Sequence, residues 1–420
     1  MPDVLIIGGG PSGSILGSYL SMHGISNVIV EKSIHPRPHV GESLVPSTTR
    51  VFTEIGFLPK MEQAGFVRKY GAAWHPTRTV GEFAIEFAEF PQPGVNQDYT
   101  YHVDRARFDS LLLKHAEELG SKVICGVPVK KVIFEDGFAR GALCSVGGQE
   151  VELEARIVVD ATGRDTLLGR QLRIKRKDEL FNQFVVHAWY TGVNRGQGVT
   201  EDFIHIYFLP IERGWVWQIP ITDTVTSVGV VAEREVFRSS KRDLANYFDR
   251  HVRSTPDIER AMKDARRINE FKQEGDYSYA MDRFAGDGYV LVGDAARFVD
   301  PIFSSGVSVA SHSAKFASDA VRTALDRGDY SASMFEEYET TLRRGVSVWY
   351  EFICLYYKLA HQFTYFIAKE KFRHQVLQLL QGDVYNRENV EVLDEMRKFV
   401  GESECSEDSL LKAHVTDIPV

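Results

Sequence analysis

Gly8, Gly10 and Gly13 lie between the apolar run VLII and a helix-spaced apolar pattern at Ile15, Leu16, Tyr19 and Leu20. That order can seat a dinucleotide diphosphate on a helix N-terminus. The first glycine permits a tight turn, the second lets the pyrophosphate approach the backbone, and the third lets helix pack on strand. The next strand, NVIVEK, ends in Glu31, placed to accept from a ribose hydroxyl. Further on, VVDATGR sets Asp160 and Gly163 after an apolar strand, and YVLVGDAARFVDPIFSSGVSVA repeats the arrangement with Gly293 and Asp294. A carboxylate at such a position either accepts from a ligand hydroxyl or caps a helix. After Pro301, small residues leave backbone N–H groups at Ser305 and Gly306 able to point at an anion. Trp215 and Trp217, two of only five tryptophans, alternate with Ile219 on one face of a short strand that meets Pro220. Taken alone, that pattern reads as a packed sheet face. Lys69, before a Gly-Ala strand start, reads by composition as a solvated surface charge.

These residues need two kinds of scaffold. The glycine and aspartate motifs require a layer of buried strands to which the chain returns from far apart in sequence. Alternating segments from about Gly71 to Asp98, and again from Phe181 to Glu274, predict a mixed sheet in a second lobe: FVVHAWYTGV, FIHIYFLP, GWVWQIPIT and TSVGVVA. After Tyr330 the pattern turns helical, with aromatics at helix-compatible spacing. The most apolar late stretch, Val346 to Ala368, contains Glu351, Lys358 and His361, too many ionisable groups for an unaided membrane span. It is expected to be a buried or cleft-facing helix. The last segment, from Gly401, is polar and expected to be loosely held.

Composition narrows the class. At 420 residues with a net charge of −9 the chain lacks the cationic surplus a nucleic-acid binder needs. Cys125, Cys144, Cys354 and Cys405 show no metal-ligand spacing, so no metal is expected. The chain opens directly into a strand without an export signal, and a reducing cytoplasm is the expected location.

The recurring strand, glycine and aspartate motifs resemble the FAD-dependent aromatic hydroxylases and their relatives, and Arg105 in HVDRARFDSLLLKHA stands where that family sets an arginine close to the flavin. Within that layout, W-x-W-x-I-P from Trp215 to Pro220 resembles the mark of flavin-dependent halogenases. The expected fold class is therefore α/β: an FAD-binding Rossmann-like domain of aromatic hydroxylase type, a mixed β-sheet substrate lobe and a helical C-terminal region. The core would span 1–330, with the FAD lobe near 1–70, 99–180 and 275–330, and the substrate lobe near 71–98 and 181–274. Residues 331–420 would form the helical region. The resemblance implies FAD contacts at Gly8, Gly10, Pro11, Ser12, Gly13, Glu31, Lys32, Ser43, Arg105, Asp160, Gly163, Gly293, Asp294, Pro301, Gly306 and Val307. It implies chloride binding at Ser305 and Gly306, and catalytic roles for Lys69, Trp215, Trp217 and Ser304.

What the family implies about chemistry follows. FADH2 and O2 give a flavin hydroperoxide, chloride takes its distal oxygen, and hypochlorous acid reaches a lysine remote from the flavin. Lys69, in GFVRKYGAAW, falls on that position. It would hold the electrophilic chlorine by hydrogen bonding or as a chloramine, and burial would favour the second by lowering its pKa. The paired indoles would keep the organic substrate off the flavin, the reverse of what a hydroxylase needs. Phe303 stands where the longer tryptophan halogenases carry glutamate, which argues against an indole substrate. HVGESLVPSTT, KYGAAW, YTYHVDR, WYEFICLYY and LQLLQGDVY resemble the pyrrolyl carrier-protein halogenases, which implies a pyrrolyl thioester on an acyl or peptidyl carrier protein. A free or tethered phenol stays open, as does an NAD(P)H-dependent aromatic hydroxylase. With no second dinucleotide fingerprint, a separate flavin reductase is expected. RSSKRDL near Lys241 and KEKFRH near Lys371 are the candidate basic patches for an acidic carrier. No nucleic-acid or membrane partner is expected, and a homodimer is compatible with the sequence.

Overall fold

The apolar run Val4–Ile7 forms a fully buried strand with parallel neighbours on both sides, Asn27–Glu31 and Ile157–Asp160. Lys122–Cys125 continues the sheet beyond the first, and Tyr289–Leu291 beyond the second. Ala285–Gly286 closes one edge antiparallel, giving six strands. The unbroken apolar runs suit strands covered on both faces. Helix Pro11–Met22 packs against both Arg105–Leu119 and Ser305–Arg327.

The computed structural model describes residues 1–77, 82–90, 98–178, 180–240, 243–275, 278–359, 362–386 and 390–404. The chain divides into two units. One comprises Met1–Phe66, Val103–Leu180 and Tyr277–Arg343, and holds the six-stranded sheet. The other comprises Val67–His102, Phe181–Asp276 and the chain from Arg344 onward. Lys69 and the tryptophan pair thus belong to the second unit, the glycine motifs to the first.

The second unit is built on an eight-stranded mixed sheet. Its main order is Arg266–Arg267, Gln183–Thr191, Val225–Glu233, Trp215–Pro220, Ile204–Phe208, Gly71–His75 and Phe83–Glu86, with Lys272–Gly275 also paired to Gln183–Thr191. The one parallel pairing, Ile204–Phe208 with Gly71–His75, makes the sheet mixed. Strand alternation gives each face its own cover. On one face Tyr207, Val216, Val228 and Val230 form a core with Tyr247 and Phe248 of helix Leu244–Val252 and Ile258 of helix Pro256–Ala261. On the other lie Trp74, Phe208 and Trp215. They meet Phe363, Tyr356 and Tyr357 from helices Phe363–Ala368 and Glu336–Leu359.

Where one buried helix is expected across Val346 to Ala368, the described residues form two helical segments, Glu336–Leu359 and Phe363–Ala368. Ala360 and His361, between them, lie outside the described residues, as do Lys241 and the terminal segment from Cys405. Trp349, Phe352, Ile353 and Tyr356 are fully buried, so the apolar character of the stretch comes from core packing. Among the described residues no helix is long and apolar enough to cross a membrane.

Candidate active site

In the first unit the three glycines of the opening motif divide by what surrounds them. Gly8 has φ +113°, and a Cβ there would fall 2.3 Å from the Ala161 carbonyl oxygen. On Gly13 it would fall 1.9 Å from the Gly8 oxygen. Both are closed by backbone packing. Gly10 is open: the nearest atom to a Cβ would be Arg37 Nη2 at 3.7 Å. Helix Pro11–Met22 starts there with Pro11 in its first turn and no side-chain cap, so its first N–H groups have no intrahelical partner. An open glycine at an uncapped, positively polarised helix start fits a diphosphate. Ser12, buried beside it, approaches Gly293, where a Cβ would come within 2.9 Å of the Ser12 Oγ. Gly293, at φ +59°, donates its N–H to Ser313 Oγ at 2.8 Å. The late GDA motif is thereby tied to helix Ser305–Arg327 and lies close against the first helix.

Glu31 is 3% exposed and accepts from Gly9 N at 2.7 Å and Ser33 N at 2.8 Å, which ties the end of its strand to the glycine turn. Lys32 is exposed and paired with Asp165. Asp160 is fully buried. Its carboxyl accepts from Thr162 N, Thr162 Oγ1 and Leu168 N, the loop-capping arrangement of a turn acid, and this braces the turn that carries Gly163. Arg105 is equally occupied. It grips Asp109 through two nitrogens and donates to the carbonyls of Val40 and Gly41, holding the loop before Ser43. Burial pushes the Asp294 carboxyl up to about 6, against the pull of Arg105 and Arg164. Ser43 is buried, and its Oγ has no hydrogen-bond partner among the described residues. A buried hydroxyl in that condition fits a polar ligand contact. Open Gly10 and orphaned Ser43 are the features that suit a bound dinucleotide.

The loop after Pro301 is a tight turn. Asp300 accepts from Ile302 N, Ser304 N donates to the Pro301 carbonyl, and Phe303 is buried. Ser304 then adopts φ +58°, ψ +27°, left-handed backbone that non-glycine residues rarely take. It precedes the 23-residue helix Ser305–Arg327 without a side-chain cap. Ser305, Gly306 and Val307 therefore contribute first-turn N–H groups at the positive end of a long helix dipole.

In the second unit Lys69 ends the strand Val67–Lys69, paired antiparallel with Thr100–His102 so that it faces Thr100. It is 3% exposed, against the surface position its composition suggests, and its ammonium nitrogen lies 5.5 Å from the centre of the Phe87 ring. Burial drops its pKa to about 7, so amine and ammonium are both populated at neutral pH. His102, fully buried on the paired strand, shares a hydrogen bond of 3.1 Å between Nε2 and the Asp202 carbonyl. Burial first, and then the nearby Lys69 charge, hold it well below the usual imidazole range and neutral. Sequence reading missed His102. It sits in the quoted YTYHVDR, but only a pairing across some thirty residues places it by Lys69.

The two indoles are fixed by hydrogen bonds and packing. Trp215 is 3% exposed and donates from Nε1 to the Tyr357 hydroxyl at 3.0 Å. Trp217 donates to Ser227 Oγ at 3.2 Å, and its ring centre lies 5.9 Å from that of Trp215. Pro220 is the last residue of their strand. Of the candidate docking patches, the one near Lys371 is largely neutralised: Lys371 pairs with Glu391 and Arg373 with Glu89.

The sequence model of the family described as tryptophan halogenase matches residues 3–95 and 83–376. The chain is 44% identical, over 100% of its length and 97% of the relative's, to a 1H-pyrrole-2-carbonyl-[peptidyl-carrier protein] chlorinase of Pseudomonas fluorescens. It is 31% identical, over 92% of its length and 93% of the relative's, to the corresponding brominase of Pseudoalteromonas luteoviolacea. The solved structure of the flavin-dependent brominase Bmp2 superposes with a TM-score of 0.88 at 28% identity, covering 96% of this chain and 99% of that one.

Proposed function

The chain belongs to the tryptophan halogenase family of flavin-dependent halogenases, and we propose that it chlorinates a pyrrole-2-carbonyl group held as a thioester by a peptidyl carrier protein. The observation that carries this is full-length 44% identity to a chlorinase of that substrate, in a chain whose Lys69 is buried. FAD, reduced by a separate reductase, would supply oxygen activation. Gly10 and the uncapped helix start would receive its diphosphate, Ser43 would offer a hydroxyl, and Arg105 and Asp160 would keep the surrounding loops in place.

Chloride is held by the first-turn N–H groups at Ser305 and Gly306, in the turn that Ser304 bends. Hypochlorous acid is the electrophile. Lys69 takes it up in either of two forms: the ammonium donates to its oxygen, or the amine binds chlorine and leaves water. Burial makes the second form accessible at neutral pH. Neutral His102 adds no competing cation beside Lys69. Pyrrole is electron-rich, so substitution then depends on position more than on a strong base. Trp215 and Trp217, each pinned by its N–H, form a rigid apolar wall against which small and bulky reactants are told apart. Free thiols at Cys125, Cys144 and Cys354 agree with a reducing, cytoplasmic setting.

The test is mass spectrometry of a pyrrolyl-loaded carrier incubated with this protein, a flavin reductase, oxygen and chloride. A mass gain with a chlorine isotope pattern is expected on the carrier-bound pyrrole alone. Equal turnover of free pyrrole-2-carboxylate would overturn the carrier assignment, and an oxygenated product would overturn halogenation.

A further inference from the structure

His75, Glu82 and His205 converge at one corner of the eight-stranded sheet, on the face away from the tryptophans. His75 ends the strand Gly71–His75, His205 belongs to its parallel neighbour Ile204–Phe208, and Glu82 immediately precedes the antiparallel strand Phe83–Glu86. The ladder pairs Trp74 with Phe83, so one further step sets His75 opposite Glu82, while His205 lies one diagonal away on the same face. His75 Nε2 is 2.9 Å from His205 Nδ1, and the same Glu82 Oε2 lies 3.6 Å from the first and 3.8 Å from the second.

Those three separations define a triangle whose circumscribed circle has a radius of about 2.0 Å, the length of a zinc–imidazole or zinc–carboxylate bond. The donors are also prepared. His205 Nε2 shares its proton with the Thr200 carbonyl at 2.9 Å, which leaves Nδ1 as a lone pair aimed at the cluster. The Thr200 side chain hydrogen-bonds Glu82. The His75 ring is stacked on Tyr207 with centres 4.2 Å apart, and Tyr207 is anchored in turn to Gln218. We propose that His75, Glu82 and His205 form a binding site for one divalent transition-metal ion of the zinc class, with a fourth position left to solvent.

In the metal-free protein His75 Nε2–H donates to His205 Nδ1. The ion replaces that hydrogen bond, and the His75 proton moves to its other nitrogen. Glu82 is the exposed member and gives the ion its entry. Among the described residues no cysteine takes part, which is why cysteine spacing gave no sign of a metal. Bound there, the ion ties three adjacent strands at the end of the segment that begins with Lys69.

The test uses the full chain without added histidines, stripped by chelator, and titrated with Zn2+ by calorimetry and with Co2+ by its visible ligand-field absorption. One equivalent and a low-symmetry Co2+ band are expected for the wild type. Glu82→Gln and His75→Gln should each lower affinity at least about ten-fold and abolish the band. Because Glu82 is exposed, its variant folds normally and decides the matter should the histidine variant prove unstable. Binding well below one equivalent, or Glu82→Gln binding as tightly as the wild type, would overturn the site.

Discussion

The Trp217 indole fills the space that a side chain on Gly229 would need: a Cβ there would lie 2.2 Å from Trp217 Cζ2, on the strand paired directly with it. One partner of the tryptophan motif is thus a glycine twelve residues away. Gly229→Ala should push the indole off its seat, break its bond to Ser227 and cost about 1–3 kcal/mol. Thermal unfolding and tryptophan emission check this. An unchanged spectrum and midpoint would show that the indole has room to spare.

Lys69→Ala should lower carrier-bound chlorination at least about 100-fold while leaving FAD affinity unchanged, as expected of a group acting on the electrophile. Product mass and flavin fluorescence titration read the two quantities separately. Normal product from this variant would remove Lys69 from the reaction.

The buried lysine also marks stability. Its folded pKa, about 7, lies below the unfolded value of 10.5, so between those limits the unfolded chain binds more protons. Its contribution is therefore fully present above about pH 10.5 and is lost as pH falls through 7. Lys69→Met should be more stable than wild type at pH 6, with the advantage shrinking as pH rises toward 10. Denaturant midpoints across that range, taken as differences between the two proteins, test the sign.

Tyr357→Phe removes the acceptor of the buried Trp215 Nε1–H and should cost about 1–3 kcal/mol. A double-mutant cycle with Trp215→Phe should recover part of that loss, because the orphaned donor is then gone. Strict additivity of the two changes would mean that the hydrogen bond contributes nothing.

Two glycines of one motif should behave oppositely. Gly10→Ala has space for its methyl and should leave apo stability unchanged while weakening FAD binding about ten-fold or more. Gly13→Ala should fail to fold, since its Cβ would meet the Gly8 carbonyl at 1.9 Å. Apo melting temperatures and flavin titration separate the cases.

Much of this was legible before any coordinates. The strand and helix around the opening glycines, the alternating strands of the second unit and the tryptophan strand all follow from local periodicity, because an apolar pattern of period 2 or 3.6 must bury one face. The turn after Pro301 was equally local, since small residues and a helix start announce it. The family resemblance implied FAD contacts at Asp160 and Arg105, and the structure adds that both side chains brace loops.

What only the tertiary structure decided is which distant residues meet. Whether Lys69 is a surface charge or a buried amine depends on a ladder with Thr100 and on the Phe87 ring, neither of which its neighbours in sequence reveal. The same holds for Trp217 against Gly229, for Trp215 against Tyr357, and for the convergence of His75, Glu82 and His205. Periodicity specifies the face a side chain presents, but strand order and register specify what it faces. A lysine pKa, an indole's fit and a metal's donor set depend on that second choice, because desolvation and close contact act over a few ångströms in space, whatever the separation along the chain.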